Sequence, residues 1–148
     1  MPLAAGDPVY SALLPGWVGE SLRNSSVGPF STTETLLQSI TFNAHPSARY
    51  KITALQSIQS SVAGDLIRVR VRYVTGTGPV SNTNTEIMSQ MPNADIAGKG
   101  QVLPTIVTIT GLSGDITVGV FAVRESGTGN ITAYGDARQT NVLMVERV

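Results

Sequence analysis

The sequence has no cysteine and a single histidine, His45. Disulfides, thiolate metal sites and thiol nucleophiles are therefore excluded together, and the redox state of the compartment stays open. Neither sign of charge is in surplus, since ten Lys and Arg offset ten Asp and Glu, so no global field draws in nucleic acid or an anionic membrane. Charged residues make up only 14% of the chain, against roughly 25% in ordinary soluble domains. That shortage suits an extracellular-style β protein or a subunit that hides surface in an assembly. No apolar run approaches the ~18 residues of a membrane span. The opening Met1-Pro2-Leu3-Ala4-Ala5-Gly6-Asp7-Pro8 lacks the basic and apolar regions of a signal peptide. The expectation is a soluble protein made and used without secretion.

Catalytic constellations are missing as well. His45 adjoins Pro46 in a predicted turn, with no other histidine or cysteine to share a metal or a triad, and reads as a solvated turn residue. Asp65, Asp115, Glu125 and Asp136 each adjoin a turn glycine or serine, where carboxylates commonly bond to nearby backbone. No spacing suggests a carboxylate dyad or a calcium loop. There is no Gly-x-Ser-x-Gly element, and Gly76-Thr77-Gly78 and Gly98-Lys99-Gly100 are only fragments of phosphate loops. The expectation is therefore no enzyme: no catalytic residue, metal, cofactor or small-molecule substrate. Asn24-Ser25-Ser26 and Asn130-Ile131-Thr132 fit the glycosylation pattern but lack a secretory context.

What the chain does have is β-alternation. Over Leu66 to Val74 the period of two puts Ile67, Val69, Val71 and Tyr73 on one face and Arg68, Arg70 and Arg72 on the other. A one-residue slip would drive three guanidinium groups into the core, so the register is tightly specified. Leu36, Ile40 and Phe42 share a predicted face, as do Tyr50, Ile52, Ala54 and Ile58, with a turn at residues 44–47 between the two runs. Residues 83–91 read as an edge strand and 92–100 as a long loop. Residues 103–109 alternate, with Pro104 tolerable only near a strand start or an edge. Ile116 to Val123 is apolar on both faces, which suits a central strand. A hairpin signal at residues 126–130 and a last strand over 140–148 follow. The fold class is all-β, an antiparallel sandwich of about seven to eight strands, jelly-roll or immunoglobulin-like, over residues 31–148.

Residues 1–30 read differently. Pro2, Pro8, Pro15 and Pro29 with four glycines punctuate the segment too often for a sheet strand, yet Val9, Tyr10, Leu13, Leu14 and Trp17 make it too apolar for a disordered tail. It is expected to be an irregular arm, packed either on its own sandwich or on another subunit, where such side chains anchor binding. Deletion of residues 1–25 is expected to leave the sandwich folded. The stripe Arg68, Arg70 and Arg72 has three readings: an outward face paired with carboxylates on neighbouring strands, a subunit interface, or a nucleic-acid surface. The last wants a positive domain and interleaved aromatics, so no nucleic acid is expected.

Several stretches together resemble a family. Thr41-Phe42, Arg49-Tyr50-Lys51-Ile52-Thr53, Ser61-Val62-Ala63-Gly64-Asp65 leading into Arg68-Val69-Arg70-Val71-Arg72, the Arg124 to Asn130 hairpin, the terminal Leu143 to Val148 strand and the opening Ala5 to Val9 carry the likeness. Together they resemble the small β-sandwich virion proteins of tailed bacteriophages that infect actinobacteria. The resemblance covers most of residues 36–148. It implies a non-catalytic virion protein, either a capsid decoration (cement) protein or a minor tail protein. A decoration protein would be made in the host cytoplasm and sit on the outer capsid surface as a homotrimer. It would bind the major capsid protein and reinforce the shell, without contact with nucleic acid or membrane. The small single domain and the apolar arm favour this role, with Val9, Tyr10, Leu13, Leu14 and Trp17 as the partner-binding residues. The other expectation is a minor tail or head-fibre adhesion module that binds a host surface glycan, which aromatics at only 5% make less favourable.

Overall fold

The computed structural model describes residues 15–148. No helix occurs among them; the chain runs through ten strands, β1 (Gly16–Arg23), β2 (Val27–Phe30), β3 (Thr35–Ala44), β4 (Arg49–Ser60), β5 (Leu66–Thr75), β6 (Thr85–Gln90), β7 (Gln101–Thr110), β8 (Gly114–Ser126), β9 (Ile131–Tyr134) and β10 (Asn141–Arg147). Every pairing between them is antiparallel. One sheet runs β1-β10-β4-β7, with β9 and β2 continuing from β4; the other runs β3-β8-β5-β6. The pairs β1 with β10, β3 with β8, β4 with β7 and β5 with β6 are nested, as if one long hairpin had been rolled up. This is the jelly-roll arrangement and resolves the choice left between it and an immunoglobulin-like order.

The alternating stretch behaves as its period requires. Ile67, Val69 and Val71 are buried between the sheets, and they meet Tyr50, Ile52, Ile116, Val118, Val120, Leu143 and Val145 there. Each fully buried aliphatic side chain contributes roughly 1.5–3 kcal/mol. β8 is the central strand that its two apolar faces suggest, flanked by β3 and β5. On β3 a bulge between Leu36 and Gln38 breaks the expected face, turning Leu36 outward and Leu37 inward. The turn after β3 is held by Tyr50, whose hydroxyl accepts from the His45 backbone N–H at 2.8 Å while its ring packs on Phe42. Residues 85–90 form the expected edge strand, and Pro104 sits in β7 at a sheet edge.

The reading of residues 1–30 is corrected from Gly16 onward. Gly16–Arg23 and Val27–Phe30 are strands of the six-stranded sheet, and β1 pairs along its length with β10. The prolines are accommodated because Pro15 precedes β1 and Pro29 lies in β2, an edge strand with no outer neighbour to receive a donor. Deletion of residues 1–25 would therefore strip an edge strand from the sheet. Val9, Tyr10, Leu13 and Leu14 lie outside the described residues.

One seam shows how polar groups can sit inside the sandwich. The side of β4 away from β7 is shared end to end, by β10 up to Leu55 and by β9 from Ser57 onward. Asn141, 1% exposed, closes the junction: its Oδ1 accepts from the Ser57 N–H at 2.6 Å, and its Nδ2 donates to the carbonyls of Tyr134 at 2.8 Å and Arg23 at 3.4 Å. Beside it, Gln56 Nε2 donates to Gln38 Oε1 across the two sheets at 2.9 Å, and Arg23 Nη2 donates to Gln56 Oε1 at 3.2 Å. These buried polar side chains are bonded, as the low dielectric of the interior requires.

Candidate functional site

The two outer faces of the sandwich differ in chemistry. On the four-stranded sheet, the arginines of β5 point outward and meet carboxylates from three directions. Glu34, just before β3, takes Arg70 Nη1 on Oε2 at 2.7 Å and Arg72 Nε on Oε1 at 2.9 Å. Glu86 of β6 lies 2.9 Å from Arg70 Nε, though not aligned for a hydrogen bond, and 3.5 Å from Arg72 Nη2. Arg68 grips Glu125 of β8 with two bonds, Nε to Oε2 at 2.8 Å and Nη2 to Oε1 at 2.9 Å. That fork raises the pKa of Arg68 and lowers that of Glu125. Three cations thus meet three anions. In register, Arg68 and Arg70 cross Val123 and Phe121, so the arginines and their partners close over the outward side of β8. The stripe is paired within its own chain, the first of its three readings.

The outer face of the six-stranded sheet is open and apolar. Inward positions of β10 and β4 are Leu143, Val145, Ile52 and Ala54, which leaves the alternate residues pointing to solvent. One cross-strand row reads Leu22, Val142, Leu55, Pro104 over β1, β10, β4 and β7. The next row reads Glu20, Met144, Thr53, Ile106, and Val102 flanks the first on β7. Leu22 is 59% exposed, Val102 60% and Ile106 53%. Charge is sparse: Glu20 heads the second row, and at the base of the face Lys51 and Glu146 pair at 2.5 Å beside Trp17. Trp17, an expected partner-binding residue, is 64% exposed at this edge. It lies on the opposite side of the sandwich from Arg68, Arg70 and Arg72.

Sequence reasoning missed Leu55, Val102, Ile106, Val142 and Met144 as a face. The signal was available: they are apolar residues on the outward parity of their strands. Glu34 as the bridge between Arg70 and Arg72 carried no signal, because it sits in the polar run Ser31-Thr32-Thr33-Glu34-Thr35.

Titratable groups elsewhere fasten loops. Asp65, 1% exposed, accepts from Ser60 Oγ at 2.5 Å, the Gly129 N–H at 2.9 Å and the Thr128 N–H at 3.1 Å. The Ser60 hydroxyl first, then the two backbone donors and the nearby Arg124, hold its pKa below the ordinary carboxylate range against the opposing effect of burial. Asp136 accepts from Tyr134 Oη at 2.8 Å and from the N–H groups of Arg138 and Gln139, which lowers its pKa and raises that of the phenol. Among the described residues, no three His, Cys, Asp or Glu side chains gather as a metal would need. A shallow cavity of about 210 Å³ is lined by Asp95, Ile96, Lys99, Gly100 and Gln101.

No family model matches the chain, and no curated protein matches it. Among solved structures, the VP2 subviral particle of infectious bursal disease virus is similar at 12% identity and a TM-score of 0.48, covering 100% of this chain and 42% of that one. Dimeric latent PorU from Porphyromonas gingivalis is similar at 11% identity and a TM-score of 0.48, covering 98% of this chain and 14% of that one. The enzymatically active domain of tailspike protein 4 of bacteriophage CBA120 follows at 9% identity and a TM-score of 0.35, covering 87% and 19%. The chain thus spans less than half of each of these neighbours. Likenesses this distant carry no argument about function.

Proposed function

We propose that this is a non-enzymatic virion structural protein, a capsid decoration protein that binds the outer surface of the shell as a trimer and stabilises it. The observation that carries this reading is the contrast between the two faces. One is closed by its own ion pairs, while the other leaves a continuous apolar row uncovered from β1 to β7 and ends at Trp17. Apolar surface of that continuity marks a place where another protein sits. The sequence resemblance to small phage virion sandwiches supplies the setting, with the major capsid protein as partner. Many copies, each with a modest interface, reinforce a shell because one docked protomer raises the effective concentration of the next.

The test is co-sedimentation of the purified chain with capsids that lack it, alongside its solution mass by light scattering. Trimers that pellet with the shells support the reading, and binding should barely change between low and high salt because the face carries so little charge. Protein that stays in the supernatant refutes it. The exposure of Trp17 favours a second reading, an adhesion module of tail or head fibre that stacks a glycan on the indole. Specific retention on a glycan array, lost in Trp17→Ala, would establish that reading instead.

A further inference from the structure

We infer that the free edge of β7 over residues 105–110 is a contact between two copies of this chain, which pair antiparallel across a two-fold axis at Thr108 and join their six-stranded sheets into one. The contact goes beyond the proposed function, since it needs neither a shell nor a trimer. A two-fold pair cannot close a ring of three, so in a layer of trimers it would join copies of neighbouring ones.

Hydrogen bonds on either side fix which backbone groups of β7 face away from β4. Gln90 Nε2, on β6, donates to the Pro104 carbonyl at 3.2 Å. Ser57 and Arg49, opposite Val102 and Thr110, turn their backbone groups to the far side of β4: the Ser57 N–H goes to Asn141 Oδ1, and the Arg49 carbonyl accepts from the Val148 N–H at 3.0 Å. The even-numbered residues of β7 therefore point their N–H and C=O groups outward, and Thr105, Val107 and Ile109 point theirs at β4. Pro104 has no N–H to offer and its carbonyl is taken, so the first half of the edge is interrupted. Among the described residues, nothing takes the backbone groups of Ile106, Thr108 and Thr110 on their outward side.

The other sheet edges are guarded. β1 carries Glu20 and a bulge between Trp17 and Gly19, and β2 carries Pro29. β3 has a bulge between Leu36 and Gln38, and Gln38 donates to the Ser21 carbonyl of β1; β6 carries Glu86 and an irregular register against β5. Charge, proline and bulges are what keep an edge from pairing. Residues 105–110, Thr-Ile-Val-Thr-Ile-Thr, have none of these: no charge, every side chain β-branched, and an unbroken ladder with β4.

The same run fits a second copy of itself. With the axis at Thr108, Thr108 faces Thr108 and Ile106 faces Thr110, so outward residue meets outward residue and each such pair exchanges two backbone bonds. An axis nearer Ile106 brings Pro104 into the ladder, and one nearer Thr110 runs the partner past the end of the strand. No charge on β7 selects a foreign strand, and every copy offers the matching edge. The side chains of Ile106, Thr108 and Thr110 then carry the outer face of one copy on into that of its partner.

The test follows amide hydrogen exchange of the full-length chain from dilute to concentrated solution, beside its mass by light scattering. The expected result is a mass that climbs toward twice its dilute value while the amides of Ile106, Thr108 and Thr110 gain protection. Those of Thr105, Val107 and Ile109 are protected throughout by β4. Thr108→Lys and Thr108→Glu, at an exposed position, supply a second arm, with circular dichroism to check that each folds. Each sets like charges face to face across the axis and should raise the concentration at which the mass doubles by about tenfold or more. An equal mixture of the two variants should associate at least as well as the native chain. A mass that neither climbs with concentration nor falls in the variants overturns the inference. So does an association that leaves the amides of Ile106, Thr108 and Thr110 exchanging freely, or one that each variant alone retains in full.

Discussion

Replacing Asn141 with alanine tests whether one side chain seals the seam where β4 exchanges β10 for β9. The substitution leaves the Ser57 N–H, 2.6 Å from Oδ1 in the native seam, without its acceptor and deprives the carbonyls of Tyr134 and Arg23 of a donor. A buried donor without a partner costs about 1–3 kcal/mol, and the two carbonyls add a smaller amount, for a total of roughly 3 kcal/mol. At ~2–4 °C per kcal/mol for a chain of this size, the melting temperature should fall by roughly 6–12 °C. Differential scanning calorimetry or a far-ultraviolet circular dichroism melt reads this directly. Asn141→Asp sharpens the test, because it restores the acceptor for Ser57 but turns a carboxylate toward two carbonyl oxygens. It should be at least as damaging at neutral pH and recover part of the loss as the new carboxyl protonates and can donate again. A melt of Asn141→Ala within ~2 °C of the native protein would refute the reasoning, because the change would then fall within the ~0.5 kcal/mol typical of surface sites.

Three further outcomes are expected. Glu34→Gln breaks the carboxylate that holds both Arg70 and Arg72 and should lower stability by about 2 kcal/mol, read as a shift in the urea midpoint. Asp65 has its pKa lowered in the folded state, so it stabilises the fold above its unfolded-state pKa of ~3.9, and that contribution is lost as pH falls through the lower folded value. A pH series of melts should show this acid limb in the native protein and a flatter one in Asp65→Asn. Trp17→Ala should leave the melting temperature nearly unchanged, within ~0.5 kcal/mol, because the indole is mostly in solvent. It should still weaken binding to shells in the sedimentation assay.

How much of this was legible in the sequence varies by residue. Ile67, Val69 and Val71 were readable because a half-buried strand imposes a strict period, and Ile116 to Val123 because a strand covered on both sides needs none. Asp65 and Asp136 were readable as loop fasteners from their turn neighbours, whereas Asp115 and Glu125, with the same signal, bond across strands to Asn43 and Arg68. β1 was not, since its pairing with β10 is set by the opposite end of the chain, whereas its prolines and glycines are local and point the other way. The seam was hidden for a similar reason: Gln38, Gln56 and Asn141 occupy inward positions, where a polar side chain reads as an error until its partners from other strands are in place. The open apolar face was legible in principle, yet its residues lie on four strands and become a surface only once the register aligns them.

The nested pairing of strands also orders events in time. β5 and β6 are neighbours along the chain and can pair early, whereas β1 must wait for β10, so the outermost pair closes a loop that spans nearly the whole domain. Such long-range closure makes folding slow compared with helical domains of the same size. The face that carries Leu22 and Trp17 does not exist until that last pair has zipped. On the trimer reading proposed above, a chain caught midway would have no complete face with which to join a neighbour, and only molecules that have finished folding would be competent to assemble.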